Sequence, residues 1–308
     1  MPVISCTAWA QAYPSRPVRV IVAAAAGGAN DIIMRLMAPW LSERLGQPFI
    51  IENRPGGSNN IGTEAVVRAS ADGHTLLAMS GVNVVNTVLF DKLSFNFLHD
   101  IAPVAGTMRT PLVMTVAPSF PAKTVPEFIA YAKANQGRLN FASGGTGTGP
   151  HMAGELFRKM TGVNILHVPY RGEGIALTDL LGGQVQVMFN SSIVALESVR
   201  SGKLRALGVT TAERWEALPE VPTVSEFVPG FEARGWFGVG APKDTPTETI
   251  DKLYKAINAG LVDPRIFARF ADLGGTPFLV SPSELREFIA AEAEKWGEVI
   301  RVANIKPE

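Results

Sequence analysis

Two stretches of the chain gather small residues where a ligand would need to reach the backbone. Residues 23–31 read Ala23-Ala24-Ala25-Ala26-Gly27-Gly28-Ala29-Asn30-Asp31. Residues 143–151 read Ser143-Gly144-Gly145-Thr146-Gly147-Thr148-Gly149-Pro150-His151, with four glycines and three hydroxyls in nine residues. Each follows a β-rich run and opens a helical one. A helix N-terminus offers unpaired N–H groups and the positive end of the helix dipole, so both loops suit an anion, above all a carboxylate. In the first loop the candidate contacts are Ala25, Gly27, Gly28, Ala29, Asn30 and Asp31. Asp31 is expected to cap the helix or order the loop, because its charge would repel an anionic ligand. In the second loop they are Ser143, Gly145, Thr146, Gly147, Thr148 and His151, the last either touching ligand or bracing the loop. Ser80, Asn83, Tyr170, Arg171 and Asn190 sit just beyond expected strand ends, where α/β sheets bind ligands. Arg171 would supply a point charge to a second carboxylate.

The glycine loop is neither a dinucleotide fingerprint nor a P-loop. Gly145-x-Gly147 meets Pro150 where a third glycine belongs, and no Gly-Lys-Ser/Thr follows. There is no G-x-S-x-G and no H-E-x-x-H, and His74, His99, His151 and His167 lack metal-ligand spacing. A Ser143–His151 pair is conceivable, without a third member. No catalytic residue, metal or cofactor is expected.

The elements that must position these loops alternate. Residues 18–24, 49–52 and 75–79 read as strands, with helices over 31–45 and 60–69: a βαβαβ unit with a parallel sheet covered on both faces. Pro39 is expected to kink or split the first helix. The pattern repeats with a helix from the capping box Thr124-x-x-Glu127 to about 135, then strands over 139–142, 164–168, 184–190 and 204–210 and helices over 150–160, 175–181 and 193–200. A helix opens at Ser281-Pro282-Ser283-Glu284 and runs to about 302. The β-rich segments 111–118 and 235–242 read as crossings between two α/β domains, 13–113 plus 236–308 and 114–235, with a ligand cleft between them. The alternative is one continuous sheet.

Composition narrows the function classes. With 28 Lys+Arg against 28 Asp+Glu among 308 residues, the net charge is zero. That argues against polyanion partners, which are held by excess basic charge, and so against nucleic acid. Hydrophobic residues at 46% exclude intrinsic disorder. The single cysteine, Cys6, excludes an intrachain disulfide, and no apolar run is long enough to span a membrane. Residues 1–12 carry A-x-A sites at Ala8-Trp9-Ala10 and Ala10-Gln11-Ala12 and read as the tail of a secretory signal; Cys6 also loosely fits a lipoprotein box.

Several motifs recur together in one known family. They are Gly27-Gly28-Ala29-Asn30-Asp31, Glu52-Asn53-Arg54-Pro55-Gly56-Gly57, Asp72-Gly73-His74, the Ser143–His151 loop, His167-Val168-Pro169-Tyr170-Arg171-Gly172, Leu181-Gly182-Gly183-Gln184 and Leu218-Pro219-Glu220-Val221-Pro222-Thr223. The set, in order from about Tyr13 to Ile305, resembles the Bug receptors, solute-binding proteins of tripartite tricarboxylate transporters. The resemblance implies an α/β type II periplasmic-binding-protein fold with two hinge crossings, and capture of a small organic carboxylate by one loop from each domain, bridged partly by ordered waters. It implies a periplasmic monomer that delivers the ligand to a permease of one large and one small membrane subunit. Ala23 to Ala26 stand where the family usually has prolines. The alternatives are a carboxylate sensor docking to a signalling partner, and a hydrolase or lyase using Ser143 and His151.

Overall fold

The computed structural model describes residues 13–307, so the signal reading of residues 1–12 lies outside the described residues. Three parallel strands open the fold: β1 (Val18–Val22), β2 (Phe49–Asn53) and β3 (Thr75–Ser80), in the order β2-β1-β3. Between them run α1 (Ala29–Leu45) and α2 (Asn60–Val67), and α3 (Gly81–Leu89) follows β3 directly. In β1, Val18, Val20, Ile21 and Val22 are all buried, as a parallel strand covered on both faces requires.

After α4 (Phe97–Asp100) comes β4 (Ile101–Val116), the longest strand. Then follow α5 (Val125–Ala134), β5 (Leu139–Ser143), α6 (Gly149–Thr161), β6 (Ile165–Pro169), α7 (Glu173–Leu181), β7 (Val187–Ser191), α8 (Ser192–Arg200) and β8 (Arg205–Val209). The chain returns through β9 (Arg234–Pro242), then α9 (Thr247–Leu261), α10 (Pro264–Asp272), the short β10 (Thr276–Pro277) and α11 (Pro282–Ala303). Parallel β5, β6 and β7 form a second group.

The two groups meet on β4. Its stretch from Ile101 to Pro111 pairs antiparallel with β9, which also pairs with β3. Its stretch from Leu112 to Val116 pairs with β7 and β8. The ladder is therefore continuous, β2-β1-β3-β9-β4-β7-β5-β6, but β4 changes partners partway along. The crossing expected over 111–118 begins ten residues earlier, at Ile101, because the stretch from Ile101 to Pro111 already pairs with β9, with two register shifts.

Two elements depart from expectation. Pro39 does not split α1, which runs unbroken from Ala29 to Leu45. Proline removes one backbone bond, to the Arg35 carbonyl, but Ile33, Met34, Met37, Ala38 and Leu41 bury the helix along the opposite face and hold it. The segment after Ser80 is helix α3, not a loop. It does not stay with the first group alone. Val84 packs with Ile21, Met79 and Trp236, whereas Val85 and Leu89 pack with Phe141, Met152 and Phe157 of the second. The C-terminal helix α11 divides the same way: Leu285 and Ile289 belong to the first cluster, Trp296, Val299 and Ile300 to the second.

Candidate ligand-binding site

The loop between β1 and α1 is built around Asp31. Its Oδ2 accepts the Gly27 N–H at 2.9 Å, and Arg35 Nε donates to both carboxylate oxygens at 2.9–3.0 Å. Asn53 Nδ2 donates to Asp31 Oδ1 at 3.0 Å and to the Ala24 carbonyl at 3.1 Å. Burial opposes ionisation of Asp31, but the bonds from Arg35, Gly27 and Asn53 outweigh it and hold the carboxyl below its usual range. Asp31 thus orders the loop, and its charge is answered by Arg35. Gly28 stands at the N-cap of α1 with no side chain capping the helix, so the first N–H groups of α1 have no intrahelical partner. Ala25 and Gly27 are exposed, and Gly28 and Ala29 are half-buried. Asn30 is buried: Nδ2 donates to the Ala78 carbonyl of β3 at 2.9 Å, and Oδ1 has no partner.

The loop between β5 and α6 has the same plan with different braces. The Ser143 hydroxyl accepts the Gly145 N–H at 3.1 Å and donates to the Gly145 carbonyl at 3.0 Å. Thr148 Oγ1 donates to that same carbonyl at 2.7 Å. His151 Nδ1 accepts the Gly147 N–H at 3.0 Å, with the ring only 2% exposed. Of the two roles open to His151, this geometry is bracing. Gly145 and Gly147 take φ of +133° and +81°, a backbone that side chains strongly disfavour, which is why the loop needs glycine there. Thr148 is the N-cap of α6 without a side-chain cap bond, so this helix also presents free N–H groups. Thr146 Oγ1 is buried without a partner.

Ser143 pairs with His167, not with His151: Oγ lies 2.7 Å from His167 Nε2, and the His167 ring stacks on His151 at 3.8 Å between centroids. Burial pushes both histidines down, His151 to about 2 and His167 to about 4, with Arg158 adding to each and His167 adding to His151. Both rings are therefore neutral at pH 7. The Ser143 hydroxyl is fully buried and committed to the loop backbone. Among the described residues no carboxylate hydrogen-bonds His167, and no cluster of three metal-ligating side chains occurs.

The smaller candidates divide. Ser80 N–H donates to Asn83 Oδ1 at 2.8 Å, and Asn83 Nδ2 donates to Thr63 Oγ1 at 2.8 Å. Both ends of the Asn83 amide are thus spent tying β3, α2 and α3 together. Tyr170 Oη donates to Asp179 at 2.6 Å, which pushes the phenol up to about 12. Arg171 is exposed. Asn190 is fully buried in β7; Nδ2 donates to Thr115 Oγ1 at 2.7 Å, and Oδ1 is unpartnered.

Further contacts draw the two loops toward one region. The Gly147 backbone packs on Val85, Asn86 and Leu89 of α3, which grows from the end of β3 that also receives Asn30. Asn86 and Glu173 went unread in the sequence. Asn86 Nδ2 donates to Ser58 and Asn60, leaving a buried Oδ1 without a partner. Glu173 accepts from the N–H and the hydroxyl of Ser191 at 2.9 Å, and burial pushes its carboxyl up against those two bonds. The i, i+3 spacing of Asn83 and Asn86 was the available signal, had the segment been read as helix.

A family model described as "Tripartite tricarboxylate transporter family receptor" matches residues 33–305. The chain belongs to this receptor family. Protein BugT of Bordetella pertussis is 37% identical over 300 residues, 96% of this chain and 92% of that one. Two solved structures of the family from Rhodopseudomonas palustris superpose closely. Rpa4515 with adipate gives a TM-score of 0.89 at 34% identity, covering 96% of this chain and all of that one. MatC with bound malate gives 0.85 at 32% identity, covering 94% and all. The fold is that of the periplasmic binding proteins, and the chain is a solute receptor of this family. Among its described residues no helix is long and apolar enough to cross a membrane.

Proposed function

We propose that this receptor captures a small organic carboxylate between the 23–31 and 143–151 loops, outside the cytoplasmic membrane, and hands it to a permease of one large and one small subunit. One observation carries the reading. Two uncapped helix N-termini, each preceded by a glycine loop braced from behind by Asp31 or by Ser143 and His151, both meet the β3–α3 junction: Asn30 bonds Ala78 of β3, and Gly147 lies against Val85, Asn86 and Leu89 of α3. Backbone donors and helix dipoles hold an anion without cationic side chains, in keeping with a chain of zero net charge. The adipate and malate held by the two R. palustris relatives support a carboxylate. Asn30 Oδ1 and Asn86 Oδ1 are acceptors; a water donating to one of them and to the ligand is the bridge such acceptors favour.

On this reading β4 and β9 are the hinge between a domain of residues 13–113 plus 236–308 and one of residues 114–235, with α3 and α11 lying across both. The ligand shifts the closure equilibrium only by as much as it prefers the closed form.

The test is a thermal-shift screen of mono-, di- and tricarboxylates. A ligand at 100 times its Kd stabilises by about 2.7 kcal/mol. Gly28→Leu places a side chain against the Ala25 carbonyl at a φ of −74° that any residue adopts, so the fold survives while the shift disappears. No shift with any carboxylate, or full retention of it in Gly28→Leu, overturns the proposal.

A further inference from the structure

A cavity of about 310 Å³, lined by no residue of either glycine loop, lies where α11 crosses the paired strands β4 and β9. Arg109 of β4 stands opposite Trp236 of β9 in the ladder, with its guanidinium stacked 3.8 Å over the Phe278 ring and 5.0 Å from Phe288. Stacking occupies the face of the guanidinium and leaves its in-plane N–H groups free, and no hydrogen bond or ion pair to another described residue takes them up. The carboxylates lining the cavity are engaged elsewhere. Glu232 accepts from Arg234 at 2.8 Å. Glu292 accepts the indole N–H groups of Trp236 and Trp296 at 3.1 and 2.9 Å. Lys295 gives one N–H to the Glu232 carbonyl at 2.9 Å and keeps two. Three cations thus face two acids around a half-buried guanidinium whose donors are uncommitted. Burial and the neighbouring Arg234 push Arg109 down and outweigh the support its charge receives from Glu292 and Glu232, so an added anion still favours it.

We propose that this cavity is an anion site, taking a small oxyanion on the Arg109 guanidinium with Lys295 at its rim. The planar donor edge matches two oxygens of one anion. The site is separate from the strand-end loops and stands whether or not those loops hold a carboxylate.

The experiment titrates inorganic phosphate into the full chain labelled with ¹⁵N-tryptophan, at fixed pH and ionic strength, and follows the indole N–H signals. The expected result is a saturable shift of Trp236 and Trp296, half-complete at about 10 mM or below, with Trp40 and Trp215 unmoved. Arg109→Gln abolishes it. Lys295→Gln weakens it about threefold, as a rim charge should. Should Arg109→Gln fail to fold, Arg109→Lys decides: it keeps the charge, loses the planar fork and weakens binding about tenfold. Gly28→Leu leaves the phosphate response intact. Shifts that rise linearly without saturating, or persist unchanged in the Arg109 variants, or vanish in Gly28→Leu, overturn the proposal.

Discussion

His151 and His167 stack as two neutral rings beneath the loop that Gly147 and Ser143 shape, and their burial has a consequence in solution. Their folded values, about 2 and about 4, lie below the ordinary 6.5. As pH falls below 6.5 the unfolded chain binds protons that the native state does not, so stability is complete above that value and declines beneath it. The His167 share stops growing near pH 4, where the native ring begins to protonate; the His151 share continues toward pH 2. The melting temperature should therefore fall between pH 7 and pH 5, against an opposing contribution from Glu155 and Glu173, whose carboxyls burial pushes up so that the native state takes up protons there first. The slope should be shallower in His167→Gln, whatever the absolute stability of that variant. A wild-type melting temperature that is flat over this range contradicts the account. At this scale the sequence displayed the loop glycines and the ordering role open to Asp31, since both follow from local geometry. The Ser143–His167 pair was hidden because Phe141 and His167 meet only through the register of β5 and β6. Asn83 looked like a free polar end of a strand, and only its tertiary partner Thr63 reveals that it is spent on packing.

Elements read from periodicity emerged within a few residues of expectation where apolar spacing was strong, as in β1, β5 and α11. They failed where the signal was divided. Residues 101–110 mix Pro103, Gly106 and Arg109 into a strand, and only pairing with β9, through register shifts after Pro103 and Gly106, makes them one. Helix α3 carries Gly81 and five β-branched residues, a poor intrinsic helix that burial on two cores compensates. Helix α1 offers the clearest test of local against tertiary control. Pro39 is exposed on the solvent side of an unbroken helix, so its cost is one missing backbone bond and its ring contact with the preceding turn. Pro39→Ala should raise stability by about 1–3 kcal/mol, most of the helix-interior proline penalty less the gain in unfolded-state entropy. Denaturant titration should show a higher midpoint with an unchanged m-value. An unchanged or lowered midpoint would mean that the surrounding packing is built around the proline.

The molecule as a whole is two sheet groups that share β4 and are covered at their junction by α11. That helix begins with a capping box at Ser281 and Glu284, buries Leu285 and Ile289 against the first group, and buries Trp296, Val299 and Ile300 against the second. Lys159 of α6 and Glu298 of α11 add an exposed ion pair at 2.6 Å, which by itself is worth little. The apolar contacts dominate, and they tie the unfolding of one group to that of the other. If the groups unfolded independently, α11 would have to leave a buried face exposed in the intermediate. Calorimetry of the full chain should accordingly give one transition with equal calorimetric and van't Hoff enthalpies. Trp296→Ala removes the largest side chain in the distal half of the helix and one of the two indoles bonded to Glu292; it should cost about 3–5 kcal/mol. Because that cost falls on the second group alone, the variant should also broaden or split the transition, with β5–β7 melting first. A split already present in the wild type would show that the groups are not coupled, and a Trp296→Ala transition that shifts down intact would show that they are coupled through β4 rather than through α11.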